Sequence, residues 1–227
     1  MPDSPRLHRA KAGRFVTFQF MPSLNQLLAA HAPLLVLDAA STRIQVGWLA
    51  PGSAHWAASF AEAGIGLFEC LDQLQTRPEA AGAFVFCDGP GSILGVRTVA
   101  MMLRAWLVLR SRPVFAYHSL LLLAHARRDP ALTVIADARR DSWHCAAIGA
   151  PLRRVPTAEL PVRLAMPEGF RTWSTAPADL ERIPYSLAEL LPATHDADIF
   201  RAIDEPDAFL HEEPSYATWS PQIHRAP

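Results

Sequence analysis

Two aspartates and one glycine-rich turn mark the places where this sequence can hold charge for chemistry. Asp38 closes the apolar run Leu34-Leu35-Val36-Leu37 and precedes Ala39, Ala40, Ser41 and Thr42, so a strand delivers a carboxylate to a turn of small and hydroxyl residues. A metal-bound phosphate can be held at such a point, but an aspartate there also caps its own turn, here through the amides of Ser41 and Thr42. Capping is the expectation, because a phosphate site on Asp38 also needs glycines after a second aspartate. Asp137 is followed instead by Ala138, Arg139 and Arg140. Two bulky arginines do not cradle a phosphate with backbone amides, although their side chains can pair with one or with the acids of a partner.

The turn is Gly89-Pro90-Gly91-Ser92, with Gly95 and Arg97 beyond it. A short apolar strand over residues 83–87 precedes it. An apolar helix follows to about Arg110, with Ser92 as its N-cap and Pro113 as its stop. Strand, turn and helix together aim free N–H groups and the positive end of a helix at one spot, which suits an anion or a close backbone neighbour. Gly89, Gly91 and Gly95 miss the dinucleotide-binding spacing by one residue, and Val96 and Arg97 stand where a phosphate loop needs Lys and then Ser or Thr. A structural turn is expected first. An anion site at Asp38, Ser41, Gly89, Gly91, Ser92 and Gly95 is the alternative.

Other reactive side chains form no constellation. No two of the nine histidines are four residues apart, and His118 and His125, seven apart, lack a third ligand in sequence, so no metal site is expected. No serine has a G-x-S-x-G setting and no cysteine has an adjacent base, which leaves no catalytic nucleophile. Cys70, Cys87 and Cys145 are odd in number, scattered and embedded in apolar runs, as reduced thiols of a cytoplasmic protein would be.

Lys+Arg number 21 against Asp+Glu 22, a formal net charge of −1, so the chain presents no strong basic field and its contact with RNA is expected to be indirect. Arg97, Arg104 and Arg110 interrupt the longest apolar run before it reaches the roughly 18 residues of a membrane span. Residues 1–20 lack both a long apolar core and a cleavage site, so they read as a flexible extension rather than a secretion signal, with Met21 as an alternative start.

The elements that must position these residues follow in order. Residues 21–31 suit a short helix, residues 34–38 and 44–49 a hairpin, and residues 55–60 a third strand. Leu67, Cys70, Leu71 and Leu74 recur at helical spacing, giving an amphipathic helix over about residues 64–75. A strand at 114–117 and a helix at 120–126 come after the long apolar helix. This order of meander, helix, strand, helix, strand, helix is that of the ribonuclease-H-like half domain of actin-like ATPases. Strands over residues 131–137 and 141–148 open a second set. Beyond Gly149 the chain is rich in proline, with short apolar patches at 162–165, 170–173 and 187–191. The expected division is a flexible extension over 1–32, a ribonuclease-H-like α/β domain over 33–129, and a smaller, truncated α/β lobe with a proline-rich tail over 130–227.

LLVLDAAS, DGPGSILGVR, RPVFAYHSLLLLA and ADARRDSW together resemble the TsaB family, glycoprotease-like proteins that pair with a catalytic paralogue to make threonylcarbamoyladenosine in tRNA. The most specific match is Gly89, Pro90, Gly91, Ser92, Gly95, Val96 and Arg97, with Asp137, Arg139 and Arg140 as a second witness. The chain departs from the family where Val99, Met101, Met102, Leu103 and Trp106 replace the small residues of the helix after the turn. A histidine usual near the first helix is also missing, and Ser142 and His144 replace an acid and a tyrosine. The resemblance implies a non-catalytic scaffold for the transferase subunit, with that paralogue and an associated ATPase as partners, self-pairing when alone, tRNA contacted only indirectly, no membrane, and ATP only in the complex. It places the partner interface on Arg97, Met101, Met102 and Trp106 of the long helix and on Cys70 and Leu71 of the neighbouring one. The competing expectations are a small nucleotide-binding phosphotransferase using Asp38 and the Gly89 turn, and an orphan homodimer.

Overall fold

The computed structural model describes residues 21–209. The expected flexibility of residues 1–20 and the C-terminal end of the proline-rich tail lie outside them. The first described element is helix α1 (Leu24–His31), closed by a capping box in which Ser23 and Gln26 bond to each other's backbone amides. Leu24 and Leu27 are buried, so the expected flexible extension over 1–32 is corrected: residues 24–31 form a helix that packs one face on the core.

A six-stranded sheet follows, built from β1 (Leu34–Asp38), β2 (Ile44–Ala50), β3 (Ser53–Ser59), β4 (Ala83–Gly89) and β5 (Val114–His118), and completed by β11 (Arg201–Ala202). The order is β11-β5-β4-β1-β2-β3, with β1, β4 and β5 parallel and the β1-β2-β3 meander antiparallel. Its central strands β1 and β4 are buried at every position because both faces are covered. Along β1, Leu34 and Val36 point into one core and Leu35 and Leu37 into the other; along β4, Val85 and Cys87 alternate with Phe84 and Phe86 in the same way. Helices α2 (Ala63–Gln73) and α3 (Ile93–Leu109) lie side by side over the second of these cores.

The opposite core is shared with the second lobe. Helix α4 (Ser119–Arg127) leads into a sheet of β6 (Thr133–Asp137), β7 (Ser142–Ala146), β8 (Arg153–Pro156), β9 (Leu164–Pro167) and β10 (Glu181–Ile183), ordered β10-β9-β6-β7-β8. Helix α5 (Leu187–Ala193) packs against α4. Leu120, Leu122 and Leu123 of α4 sit in one cluster with Trp143, Met166 and Leu191, so α4 does not cover α3. The boundary expected at residue 129 falls between the two sheets. The chain then returns: Phe200 donates its N–H to Pro22, β11 pairs antiparallel with β5, and Phe209 donates to the Asp88 carbonyl. The C-terminal half therefore supplies the edge of the first sheet. Among the described residues no helix is long and apolar enough to cross a membrane.

Candidate functional site

Asp38 is fully buried and its oxygens are engaged. Oδ1 accepts the Ala40 N–H at 2.8 Å; Oδ2 accepts the hydroxyls of Tyr117 and Tyr185, each at 2.7 Å. The capping role holds, but on Ala40 rather than on Ser41 and Thr42. Ser41 instead exchanges bonds with Arg43, and the Thr42 N–H reaches Gly169 of the second lobe. Burial raises the Asp38 carboxyl above its usual value against the pull of its three donors. Burial first, and then the Asp38 charge, hold both phenols well above the usual tyrosine value. Tyr185 also joins the lobes through its carbonyl, which accepts from Gln45 Nε2, while Gln45 Oε1 takes the Leu187 N–H.

The glycine turn acts by close approach. Gly89 and Gly91 adopt positive φ (117° and 155°), and a Cβ at Gly91 or Gly95 would collide with the carbonyl oxygen of Ala40 or Ala39. The Ser92 N–H bonds to the Ala40 carbonyl at 2.7 Å and the Ser92 hydroxyl caps Gly95. The start of α3 is thus seated on the β1–β2 turn. Gly95→Ala should lower stability by about 2 kcal/mol, because backbone has to shift to admit the methyl group; chemical denaturation measures the loss.

Asp137 ties two loops of the second lobe together. Its Oδ1 accepts the Arg139 N–H at 2.6 Å and its Oδ2 accepts those of Trp173 and Ser174 at 2.7 and 2.6 Å. Desolvation pushes this carboxyl up, but these bonds outweigh it and hold it below the usual range. Arg139, Arg140 and Asp141 take left-handed φ of 62°, 52° and 53°, a conformation that costs on the order of 1 kcal/mol per residue. The turn is held by Asp137, by the Ser142 hydroxyl on the Arg139 carbonyl and by Arg154 on the Ala138 and Arg139 carbonyls. The Arg139 guanidinium lies 4.4 Å above the Trp173 ring. Between the lobes Ala40, Thr42, Gly91, Asp137, Gly169 and Trp173 enclose only about 40 Å³.

The expected interface set is divided by the structure. Cys70 and Leu71 are buried in the chain's own core, as close packing of α2 on β2 and β3 requires, and are not surface residues. Met102 and Trp106 pack inward, Trp106 with its ring 5.6 Å from that of Phe84. Arg104 is tied to the returning chain through the Pro206 carbonyl at 2.6 Å and Asp207 at 3.3 Å. Met101 points outward, 69% exposed, and Arg97 is exposed. Sequence reading missed the rest of this face. Leu94 is 74% exposed, Val108 lies on the same stripe of α3, and α2 adds Ile65 and Phe68. Phe60 and Leu94 border a groove of about 570 Å³ between the starts of the two helices. The only available signal was the spacing 94, 97, 101 and 108, which the all-round apolarity of α3 concealed.

His118 is mostly buried, with its Nδ1 2.8 Å from Asp88 Oδ1; Arg201 pairs with the other oxygen of Asp88. Among the described residues no group of His, Cys, Asp and Glu is arranged to hold a metal ion.

Solved structures decide the fold. YeaZ from Pseudomonas aeruginosa superposes with a TM-score of 0.54 at 22% identity, over 71% of this chain and 89% of YeaZ. The chain has a YeaZ-like fold. A second structure, an uncharacterised protein with similarity to peptidase YEAZ from Pseudomonas aeruginosa, matches at 0.50 and 22%, over 71% of this chain and 88% of its own. No family model and no curated protein matches the sequence. The YeaZ-like architecture is the ribonuclease-H-like, actin-like α/β fold expected from the element order.

Proposed function

We propose that the chain is a non-catalytic scaffold that binds and activates the tRNA threonylcarbamoyl transferase subunit, supporting threonylcarbamoyladenosine modification of tRNA. The fold is that of YeaZ, and the sequence motifs resemble the same family under its other name, TsaB. The observation that carries the reading is the bare apolar face of α2 and α3. Ile65, Phe68, Leu94 and Met101 stand in solvent on adjacent helices, and such a surface is characteristic of a protein contact. Arg97 lies between Leu94 and Met101 as a charged group for a partner's acid.

Co-expression with the native catalytic subunit tests the reading: the two chains should co-purify and elute together, and the chain alone should self-associate through the same face. Separate elution at micromolar concentrations defeats it.

Nucleotide is proposed to enter only in the complex with the associated ATPase. The Asp38 oxygens are taken by protein donors, and Arg139 and Arg140 rather than glycines follow Asp137. Calorimetry of the isolated chain with ATP should show no saturable micromolar binding. A saturable isotherm there would favour a phosphotransferase.

A further inference from the structure

We infer that Arg171 and Trp173, which line the interlobe cleft, form with the neighbouring Arg139 and Arg140 a docking patch for the phosphodiester backbone and an unpaired base of an RNA. This rests on the reading above, in that tRNA is the RNA at hand, and it replaces the expectation of indirect contact alone. A net charge of −1 conceals local order, because Asp137 gathers two basic loops at one point. One of its oxygens holds the amide of Arg139 and the other holds those of Trp173 and Ser174. Asp137 is mostly buried and faces backbone donors, so it organises the patch from behind.

The side chains in front are free to act. Arg140 and Arg171 are exposed and make no ion pair among the described residues, as is also true of Arg43, Arg77 and Arg97; what sets them apart is their place beside Arg139 and Trp173 on the two loops that Asp137 joins. Arg139 is also exposed and is oriented by its stacking on Trp173. Trp173 keeps 55% of its surface in solvent although it sits between packed loops. An exposed tryptophan beside unpaired arginines provides what a single-stranded nucleic acid requires, cations for phosphates and a flat ring for a base. A partner's acidic surface would use the arginines and leave the ring without a role.

The test measures binding of a fluorescently labelled tRNA transcript to the full chain, alone and with the catalytic subunit, from 50 to 200 mM salt. Wild type should bind weakly, in the range of about 10⁻⁴ to 10⁻⁶ M, with a salt slope of two to three released ions. The variant R139A/R140A/R171A should lose about tenfold at low salt, its slope falling by about one per arginine removed from a phosphate. Trp173→Ala should lose a similar factor with the slope unchanged, since stacking releases no counterions. Circular dichroism and co-purification with the catalytic subunit should match wild type for all variants. Equal affinity and slope in wild type and triple variant overturn the inference while leaving the scaffold reading intact. Loss of the catalytic subunit with RNA binding retained also overturns it, by assigning the patch to a protein contact. If wild type fails to pair but binds RNA through the arginines, the scaffold reading fails and the patch stands.

Discussion

Met101→Asp should abolish co-purification with the catalytic subunit, an effect of at least a hundredfold, while circular dichroism and thermal unfolding stay at wild-type values. Met101 is 69% exposed in the middle of the α3 stripe, so in the free chain an aspartate there meets water and costs little. In a complex it would be desolvated among apolar groups without a partner, which costs several kcal/mol. Leu94→Asp, 74% exposed and two turns earlier, should behave alike. Trp106→Asp provides the contrast. Trp106 packs with Met102 against the core and against Phe84, so its loss should destabilise the fold by about 3 kcal/mol or more. Scanning aspartate through residues 101–106 and scoring folding separately from pairing reads both outcomes. Normal pairing by every folded variant would remove the face from the proposed interface.

Much of this fold was legible because its strands and helices obey simple periods. The meander, the strand before Gly89, the Ser92 cap and the end of α3 before Pro113 all stand where sequence places them. Local signals were strong there: a continuous apolar run bounded by glycine, and a hydroxyl ahead of a helix. The second lobe was harder to read. Its strands β8 and β10 are four and three residues long, and β11, which closes the first sheet, is two and pairs with β5 more than eighty residues earlier, so tertiary pairing decides them. The docking of residues 199–209 on the first sheet has no local signature at all. The direction of α3 was also hidden. Apolar residues surround it completely, so only tertiary packing separates Met101 from Met102.

The two aspartates singled out by sequence position should respond to pH with opposite sign. Asp38 is raised in the folded state by burial, so the native chain holds this proton more tightly than the unfolded chain does. Stability from this group is complete below the unfolded value of about 3.9 and is lost as pH climbs from there through the raised folded value. Asp38→Asn removes that falling limb. Its amide oxygen can accept from Tyr117 and Tyr185, but the NH₂ then faces the Ala40 N–H, a loss of about 1 kcal/mol at every pH. The advantage of wild type over Asp38→Asn should therefore shrink as pH rises above about 4. Asp137 is depressed by its backbone donors, so its contribution is present above the unfolded value and lost as pH falls through the folded one. Asp137→Asn should cost most at neutral pH and progressively less in acid. Asp38→Ala is the severe case: two buried phenols lose their acceptor, Tyr185 no longer ties the lobes, and about 3 kcal/mol should be lost. Urea titrations from about pH 2 to pH 8 on wild type and the three variants measure all of this. A wild-type advantage over Asp38→Asn that grew with pH would mean that the buried carboxylate is stabilised by its three donors by more than its desolvation costs.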